Sequence, residues 1–263
     1  MALETLTQHE PDILALYQPE VLILPTPELV DLAAGSILVT QIESNPNSII
    51  TPATGSSPVG AYQVAIKEYR SGLDMSGITT TNLDQYWPLP SGHSLCYQRF
   101  MDEHWFNFVN IPSNQRHIPD STAIDPHEAA ARYERVLNEV GPSDLVILGI
   151  GPELTCHIAF NERGSKLDSR TRVVDLDNET IQANARFCEG NINQVPTKAI
   201  TQGIANILEG KKIILIAKGV EKAEGIKRTL EGEIGPDAPA SFLRFHSNVT
   251  FLIDQEAASL LNL

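Results

Sequence analysis

The feature that most constrains the fold is a recurrence of short apolar runs separated by segments with helical spacing. Three of the runs are DLVILGIG at 144–151, KKIILIAKG at 211–219 and VTFLID at 249–254. Strands this apolar are buried on both faces, which is typical of parallel sheets covered by helices. Helices between parallel strands form right-handed crossovers. The sequence therefore predicts a single α/β domain, doubly wound and Rossmann-like, with a mostly parallel sheet flanked by helices.

The N-terminal part of the chain is predicted to lie outside this domain. Apolar residues recur at helical spacing from 27 to about 44, with Thr26 as the N-cap and a proline in the first turn. We place the domain at 26–263 and expect residues 1–25 to form a peripheral arm with a short helix. A further helix is expected over 196–208.

Charge argues against a nucleic-acid partner. The 263 residues include 19 Lys and Arg against 33 Asp and Glu, a formal net charge of −14. Nucleic-acid binding needs a basic surface to neutralise phosphates. Residues 1–66 contain no Lys or Arg but seven carboxylates. An anionic ligand near this part must therefore be held by backbone N–H groups, hydroxyls or cations brought from distant sequence.

The composition predicts a cytoplasmic protein without a membrane segment. The sequence has no run of about 18 apolar residues, the length that a membrane-spanning helix needs. Its N-terminus is acidic where a secretory signal would be basic. Cys96, Cys156 and Cys188 are widely spaced and odd in number, which fits neither a disulfide framework nor a zinc site. We therefore expect no metal.

A candidate anion-binding loop follows the short apolar segment SII. It contains Thr54, Gly55, Ser56 and Ser57, and Pro58 then begins a helix. Glycine lets the backbone approach a ligand, hydroxyls can donate, and a helix N-terminus offers free N–H groups. This combination needs no basic residue. From these residues alone, an ordinary strand-to-helix turn is an equally good interpretation.

Five other residues are candidates for chemistry. Four of them follow predicted strands, where a doubly wound sheet places its ligands, and the fifth, Arg186, lies in a predicted helix over 178–187. Asp84 ends a β-branched segment and is a candidate general base, or else a turn residue. His157 and Glu162 follow the strand that ends in two glycines; the pair suits acid–base chemistry, although a lone histidine is often structural. Arg186 and Lys222 are candidate anion partners, or solvated surface cations.

Several short motifs resemble those of the glucosamine-6-phosphate deaminase/isomerase family, which shares a fold with 6-phosphogluconolactonases. The resemblance covers roughly residues 48–254. From the histidine onward the motifs occur in the family's order and spacing: HIAFNE at 157–162, SRTR at 169–172, NARF at 184–187, NQVP at 193–196 and VEKA at 220–223. Several motifs in order are far more specific than any one of them.

The resemblance implies an aldose–ketose isomerase that also deaminates. Asp84 matches the carboxylate that moves a proton between C1 and C2 of an open-chain sugar phosphate. His157 matches the residue that opens the pyranose ring, and Glu162 matches its partner. An amino-sugar 6-phosphate would become fructose 6-phosphate and ammonia, without a metal or organic cofactor. Relatives differ in oligomeric state, so a homo-oligomer is compatible with the resemblance.

The phosphate loop and the segment before the histidine depart from the family pattern. The resemblance places the loop 54–57 at the sugar phosphate, with Arg186 and Lys222 as charged partners, but TGSSP replaces the family's TGGTP. The family also reads G-x-G-x-[DN]-G-H. Here the loop is two residues longer, and Thr155 and Cys156 stand in place of the carboxylate or amide and the glycine. Either Thr155 or the nearby Glu153 could replace the missing partner of the imidazole.

Alternative functions remain open at the level of sequence. One is a 6-phosphogluconolactonase-type hydrolase on the same fold. Another is a divergent sugar-phosphate isomerase, for example on galactosamine 6-phosphate, or a non-catalytic sugar-phosphate binder. The resemblance also places Ser165 and Arg172 at a second, regulatory phosphosugar site, where Val174 occupies a position that is basic in the family.

Overall fold

The computed structural model describes residues 15–90, 92–151 and 155–262. Its strands are β1 (Glu20–Leu24), β2 (Ile49–Thr51), β3 (Thr79–Thr81), β4 (Asp84–Trp87), β5 (Arg116–His117), β6 (Leu145–Gly149), β7 (Arg172–Asp175), β8 (Lys198–Thr201), β9 (Ile213–Ala217) and β10 (Val249–Asp254). Its α-helices are α1 (Pro27–Ser44), α2 (Val59–Arg70), α3 (Tyr97–His104), α4 (Pro126–Val140), α5 (Asn178–Asn184), α6 (Ile204–Leu208) and α7 (Ala223–Glu231). In these ranges, no helix combines the length and apolar character needed to cross a membrane.

Seven strands form the main sheet, in the order β1-β10-β9-β6-β2-β3-β5. Every neighbouring pair in this sheet is parallel. The strand β9 is completely buried and β6 nearly so, because apolar clusters cover both faces. The predicted single-domain, doubly wound α/β architecture is confirmed.

The first helix follows the predicted pattern. α1 runs from Pro27 to Ser44, and the Thr26 hydroxyl caps it by accepting from the Leu29 N–H at 3.4 Å. Proline at the first helical position loses no hydrogen bond, because that N–H has no partner within the helix. α1 packs closely along α2 on one face of the sheet, where an added Cβ on Gly35 would lie 2.4 Å from Val64 Cβ.

The predicted arm boundary at residue 25 is wrong for part of the arm. Residues 20–24 form β1, which pairs in parallel with β10 from Glu20↔Thr250 to Leu24↔Asp254. EVLIL offers alternating and partly apolar side chains to an open sheet edge, so pairing with β10 overrides the helical expectation. Residues 1–14 of the arm lie outside the described residues. The domain thus includes at least one strand from before residue 26.

A second sheet, absent from the sequence prediction, contains β4, β8 and β7 in that order. Both of its strand pairs are antiparallel, with Thr201 of β8 opposite Asp84 on one side and Arg172 on the other. The helix predicted over 196–208 is wrong in its first half, where Lys198–Thr201 is the central strand β8. Hydrogen bonds from two neighbouring strands outweigh the local helical spacing there.

Candidate active site

A large cavity lies at the point where the chain reverses its direction of travel across the main sheet. From β2 the chain moves outward to β3 and β5, whereas from β6 it moves through the small sheet to β9 on the other side. Ligands of open α/β sheets bind at such a switch point, beyond the carboxyl ends of the strands. The cavity here is about 690 Å³ in volume, and residues following β2 and β6 line it.

All predicted site residues except Glu162 line this one cavity. They are Thr54, Gly55, Ser56, Ser57, Asp84, His157, Arg186 and Lys222. Glu162 lies behind the imidazole and contacts it. The topology thus brings together groups that are up to 168 positions apart in sequence, from Thr54 to Lys222. Within the described ranges, no three His, Cys, Asp or Glu side chains are grouped as metal ligands.

The loop after β2, together with the N-terminus of α2, has the features of an anion-binding site, which we call the phosphate seat. Gly55 adopts φ +98°, a conformation that glycine takes without a steric cost. The Tyr62 hydroxyl donates to the Ala53 carbonyl at 2.7 Å and thereby anchors the loop to α2. Pro58 is the N-cap residue of α2, and proline has no side-chain oxygen with which to cap the first turn. The first N–H groups of α2 can therefore interact with an anion together with the Ser56 and Ser57 hydroxyls.

Two cations reach the cavity from opposite parts of the chain. Lys222 ends a 3₁₀ turn after β9, and its Nζ donates to the Ile150 carbonyl at 3.0 Å. Arg186 lies in a 3₁₀ turn just after α5, with its guanidinium carbon 4.8 Å from the centre of the Phe187 ring. Both candidate anion partners therefore line the same cavity as the loop after β2.

Asp84 stands at the junction of the two sheets. Between β3 and β4 the chain is fixed by Gln202, whose Nε2 donates to the Thr81 and Asn82 carbonyls at 3.2 and 3.1 Å. The Tyr133 hydroxyl also donates to the Asn82 carbonyl at 2.6 Å. Asp84 is 7% exposed, and its burial raises the pKa of the carboxyl from 3.8 to about 8. A carboxyl with a pKa near neutrality can both take up and release a proton at physiological pH.

The half-buried His157 and the buried Glu162 form a pair on the segment after β6. Nδ1 of the imidazole lies 3.1 Å from Glu162 Oε2, and Glu162 Oε1 accepts from the Asp177 N–H at 3.4 Å. The segment is fixed to the small sheet, because the Phe160 N–H donates to the Thr201 hydroxyl at 3.1 Å. A carboxylate at Nδ1 favours the Nδ1–H tautomer and leaves Nε2 available as a base toward the cavity.

The divergent loop before His157 retains a polar partner for the imidazole. The Thr155 hydroxyl lies 3.2 Å from His157 Nδ1, so it occupies the role that the sequence left open. The other candidate, Glu153, lies outside the described residues. Cys156, at the family's glycine position, adopts φ +45°, a left-handed conformation that is costly for a residue with a Cβ. Gly151 remains necessary, because an added Cβ would lie 2.3 Å from His157 Nε2.

Sequence reasoning did not identify the aromatic wall or the hydroxyl on α5. Tyr86, Tyr97 and Phe160 all line the cavity, with ring centroids 5.0 to 6.0 Å apart. Tyr86 shares the cavity face of β4 with Asp84 because side chains two apart on a strand point the same way. The Thr180 hydroxyl lies 3.3 Å from His157 Nδ1. Tyr86 could have been found from the sequence, because it stands two positions after the candidate base Asp84 on a strand. No sequence signal pointed to Thr180.

The residues matched to a regulatory site lie together in a second cavity. This cavity of about 420 Å³ is outside the small sheet, and Ser165, Arg172 and Val174 line it. The Arg172 guanidinium donates to Ser165 Oγ at 2.8 Å and to Asn161 Oδ1 at 2.9 Å. Burial lowers the pKa of Arg172, since these partners are uncharged. Asn161 also donates to the Gln202 carbonyl, so Arg172 is linked to the residue that fixes the chain just before Asp84.

Comparison with known proteins agrees with this geometry. The model of the family described as glucosamine-6-phosphate isomerases/6-phosphogluconolactonase matches residues 37–252. The glucosamine-6-phosphate deaminase of Thermoanaerobacter sp. (strain X514) is 42% identical over 87% of this chain and 89% of its own length. That of Halothermothrix orenii is 44% identical over 87% of this chain and 94% of its own length. The chain belongs to the glucosamine-6-phosphate isomerase/6-phosphogluconolactonase family.

Solved structures separate the two branches of this family. A monomeric glucosamine-6-phosphate deaminase superposes with a TM-score of 0.89 at 40% identity, covering 92% of this chain and all of that protein. The 6-phosphogluconolactonase of Trypanosoma brucei superposes with a TM-score of 0.73 at 21% identity, over 93% of this chain and 99% of that one. At that identity the lactonase likeness concerns the fold alone.

Proposed function

We propose that the chain converts glucosamine 6-phosphate and water to fructose 6-phosphate and ammonia, as a hydrolytic aldose–ketose isomerase. The observation that carries the proposal is the meeting, in one cavity, of a buried carboxyl with a pKa near 8, a carboxylate-paired histidine and a loop with two cations. Deaminases of the family at 42–44% identity support the amino-sugar substrate.

His157 opens the ring in this proposal. Nε2 takes the proton of the C1 hydroxyl while the C1–O5 bond breaks, and a proton is returned to O5. Glu162 stabilises the imidazolium that forms, because its carboxylate lies 3.1 Å from Nδ1. The product of this step is the open-chain aldehyde, with its amino group at C2.

Asp84 then moves a proton from C2 to C1. The ionised carboxylate takes the C2 proton, the C2–H electron pair forms the C1=C2 double bond, and O1 takes up a proton from solvent to give an enolamine. Return of the carboxyl proton to C1 then gives the iminium at C2. Water adds to that iminium, and ammonia leaves with the electrons of the C–N bond. A base with a pKa near 8 is matched to such a transfer, since Brønsted catalysis is most efficient when the pKa lies near the working pH.

In this proposal, binding of the phosphate positions the sugar relative to His157 and Asp84 for both steps. We assign it to Ser56, Ser57 and the N-terminus of α2, with Lys222 and Arg186 as counter-charges. The net charge of −14 works against a phosphorylated ligand at long range. Binding therefore depends on this local seat, and the phosphate contributes orientation as well as affinity.

The test is a direct assay with glucosamine 6-phosphate, following ammonia and fructose 6-phosphate separately. We expect both products in equal amounts, and no turnover of unphosphorylated glucosamine. 6-Phosphogluconolactone is the control substrate for the hydrolase on the same fold. Lactone hydrolysis without ammonia release, or binding without turnover, would overturn the proposal.

Two further assignments are part of the proposal. We place the reaction in the cytoplasm, where phosphosugars occur and where the buried thiols of Cys96, Cys156 and Cys188 would remain reduced. Catalysis is assigned to one chain, since every proposed site residue is supplied by it. Assembly into a homo-oligomer stays a prediction, and the solved deaminase relative is monomeric.

A further inference from the structure

Thr180 reaches the imidazole from a different part of the chain than Glu162 does. It lies in the first turn of α5 and is completely buried, with its hydroxyl 3.3 Å from His157 Nδ1. The same nitrogen lies 3.1 Å from Glu162 Oε2 and 3.2 Å from the Thr155 hydroxyl. Three oxygens therefore surround one ring nitrogen.

His157 Nδ1 does not need three oxygen neighbours to form its hydrogen bond. Nδ1 carries at most one proton, and the charged Glu162 is its strongest acceptor. A carboxylate can only accept, whereas a hydroxyl can accept or donate. Contact between Thr180 and Nδ1 is therefore favourable for either neutral tautomer of His157, while contact with Glu162 favours one of them. The hydroxyl can hold the position of the ring throughout a proton-transfer cycle.

The start of α5 is itself fixed to the imidazole pair. The Asp177 N–H donates to Glu162 Oε1 at 3.4 Å, and Asp177 caps the helix by accepting from the Glu179 N–H. Arg163, next to Glu162 in sequence, donates to Asp177 Oδ2 at 3.1 Å. Thr180 is thus presented to His157 from a helix end that is tied to the same segment. The Thr180 hydroxyl is therefore held at a fixed position beside His157 Nδ1.

We propose that Thr180 is a positioning residue for His157, whose hydroxyl fixes the imidazole so that Nε2 is directed at the sugar ring. It does not touch the reacting atoms. This inference rests on the proposed ring-opening role of His157, and it assigns to α5 a part in the acid–base step in addition to its part in lining the cavity.

The test compares Thr180→Val, which keeps the β-branched shape without the hydroxyl, with Thr180→Ser, which keeps the hydroxyl. Thr180→Ala replaces the valine variant if that variant does not fold. The matched control is Thr250→Val, since the Thr250 hydroxyl also contacts a carboxylate, Glu20 at 2.9 Å, but lies near the start of β10, far from the strand ends that face the cavity. Steady-state rates with glucosamine 6-phosphate are measured for all of them.

We expect Thr180→Val to lower kcat about tenfold, because a small displacement of a catalytic group is costly, while KM stays within about twofold. Thr180→Ser should recover most of the rate, and Thr250→Val should retain it. In parallel, the ¹⁵N signals of the His157 imidazole should shift and broaden in the valine variant, because the ring is no longer held in one orientation, and should return in the serine variant. A merely structural role would leave these shifts unchanged.

A valine variant with unchanged kcat and unchanged ¹⁵N shifts would overturn the inference, and so would a serine variant as impaired as the valine. Binding of an open-chain hexitol 6-phosphate, which has no ring to open, should be retained within about twofold in Thr180→Val if the phosphate seat is intact. A wild-type enzyme that releases no ammonia would instead contradict the proposed function, so the two failures are distinguishable.

Discussion

The seven-stranded parallel sheet and the three-stranded antiparallel sheet meet at one cavity and supply it with different chemistry. The parallel sheet contributes the loop of Thr54–Ser57 and Lys222, that is, backbone N–H groups, hydroxyls and a cation. The small sheet contributes Asp84 directly and anchors the His157–Glu162 segment through Thr201. In the proposed function, the parallel sheet supplies most of the anion-binding site, and the small sheet holds the groups that move protons.

Under the proposed function, the difference explains how an acidic chain could bind an anion and still keep a carboxyl of raised pKa in the same cavity. A carboxyl beside the phosphate cations would have a lowered pKa, because an opposite charge favours the ionised form. Asp84 stands on the other sheet, where burial raises its pKa to about 8. Separation of the two functions onto two sheets therefore allows both environments within one cavity. The predictions below test that separation.

The largest expected effect is on the small sheet. Asp84→Asn should lower kcat about 10³-fold, since the amide cannot take a proton from C2, while KM changes little. Steady-state assay of ammonia release measures both constants. The matched control is Asp175→Asn on β7 of the same sheet, whose side chain is 82% exposed and paired with Lys198. Retention of the rate by Asp84→Asn would remove Asp84 from the role of base.

A substitution on the parallel sheet should change KM more than kcat, the opposite of what is expected for Asp84→Asn. Lys222→Glu is expected to raise KM for glucosamine 6-phosphate about 100-fold, because a charge-assisted contact to phosphate is lost and a like charge is added. Lys211→Glu is the control, since its side chain is 64% exposed and pairs with Asp144. Equal effects of the two reversals would mean that general charge, and not the local seat, governs binding.

The segment between the two sheets should give an intermediate effect. Glu162→Gln keeps an acceptor near His157 Nδ1 but removes the charge, so we expect kcat to fall about 30-fold through a less basic Nε2. Glu103→Gln, at an exposed pair with Arg99, is the control. If Glu162→Gln raised KM and left kcat unchanged, the pair would belong to substrate binding and not to ring opening.

Counted per pH unit, the smallest effect concerns the free energy of unfolding and its dependence on pH. Because burial raises the pKa of Asp84 from 3.8 to about 8, the folded protein keeps a proton that the unfolded chain releases in this range. Its contribution to stability is therefore complete below about pH 4 and is lost as the pH rises to about 8. Relative to Asp84→Asn, the free energy of unfolding of the wild type should fall by about 1.4 kcal/mol per pH unit.

Urea unfolding of both proteins at several pH values between these limits measures that difference. Titrations of all other groups are common to the two proteins and cancel when the two are compared. A constant difference across the range would show that the Asp84 carboxyl titrates alike in the folded and unfolded chain, and would contradict the argument from burial.

The two sheets also differ in how far their sequences predict them. The strands β6, β9 and β10 are continuous apolar runs, so their pattern alone indicates a buried parallel sheet. The strands β4, β7 and β8 read DQYW, RVVD and KAIT, short and mixed in polarity. Their pairing depends on partners more than 80 residues apart for β4 and β8, which local spacing cannot reveal.

The same distinction applies to the site. Asp84, His157 and Lys222 were predictable because they follow strand-like segments, where a doubly wound sheet places its ligands. The role of Thr155 and the reach of Thr180 to the same nitrogen were not, since they depend on how a lengthened loop and the start of α5 come together. A sequence shows which residues can carry chemistry, while the contacts that orient them arise from tertiary packing.

The most direct test of the two-sheet account is a crystal structure with an open-chain amino-hexitol 6-phosphate bound. The account predicts phosphate oxygens on the N–H groups at the start of α2 and on Lys222, with C1 and C2 within about 3.5 Å of the Asp84 carboxylate, the distance of a reactive arrangement. A sugar bound in the reverse direction, with its phosphate beside Asp84, would contradict it, as would exclusive binding beside Arg172 in the second cavity.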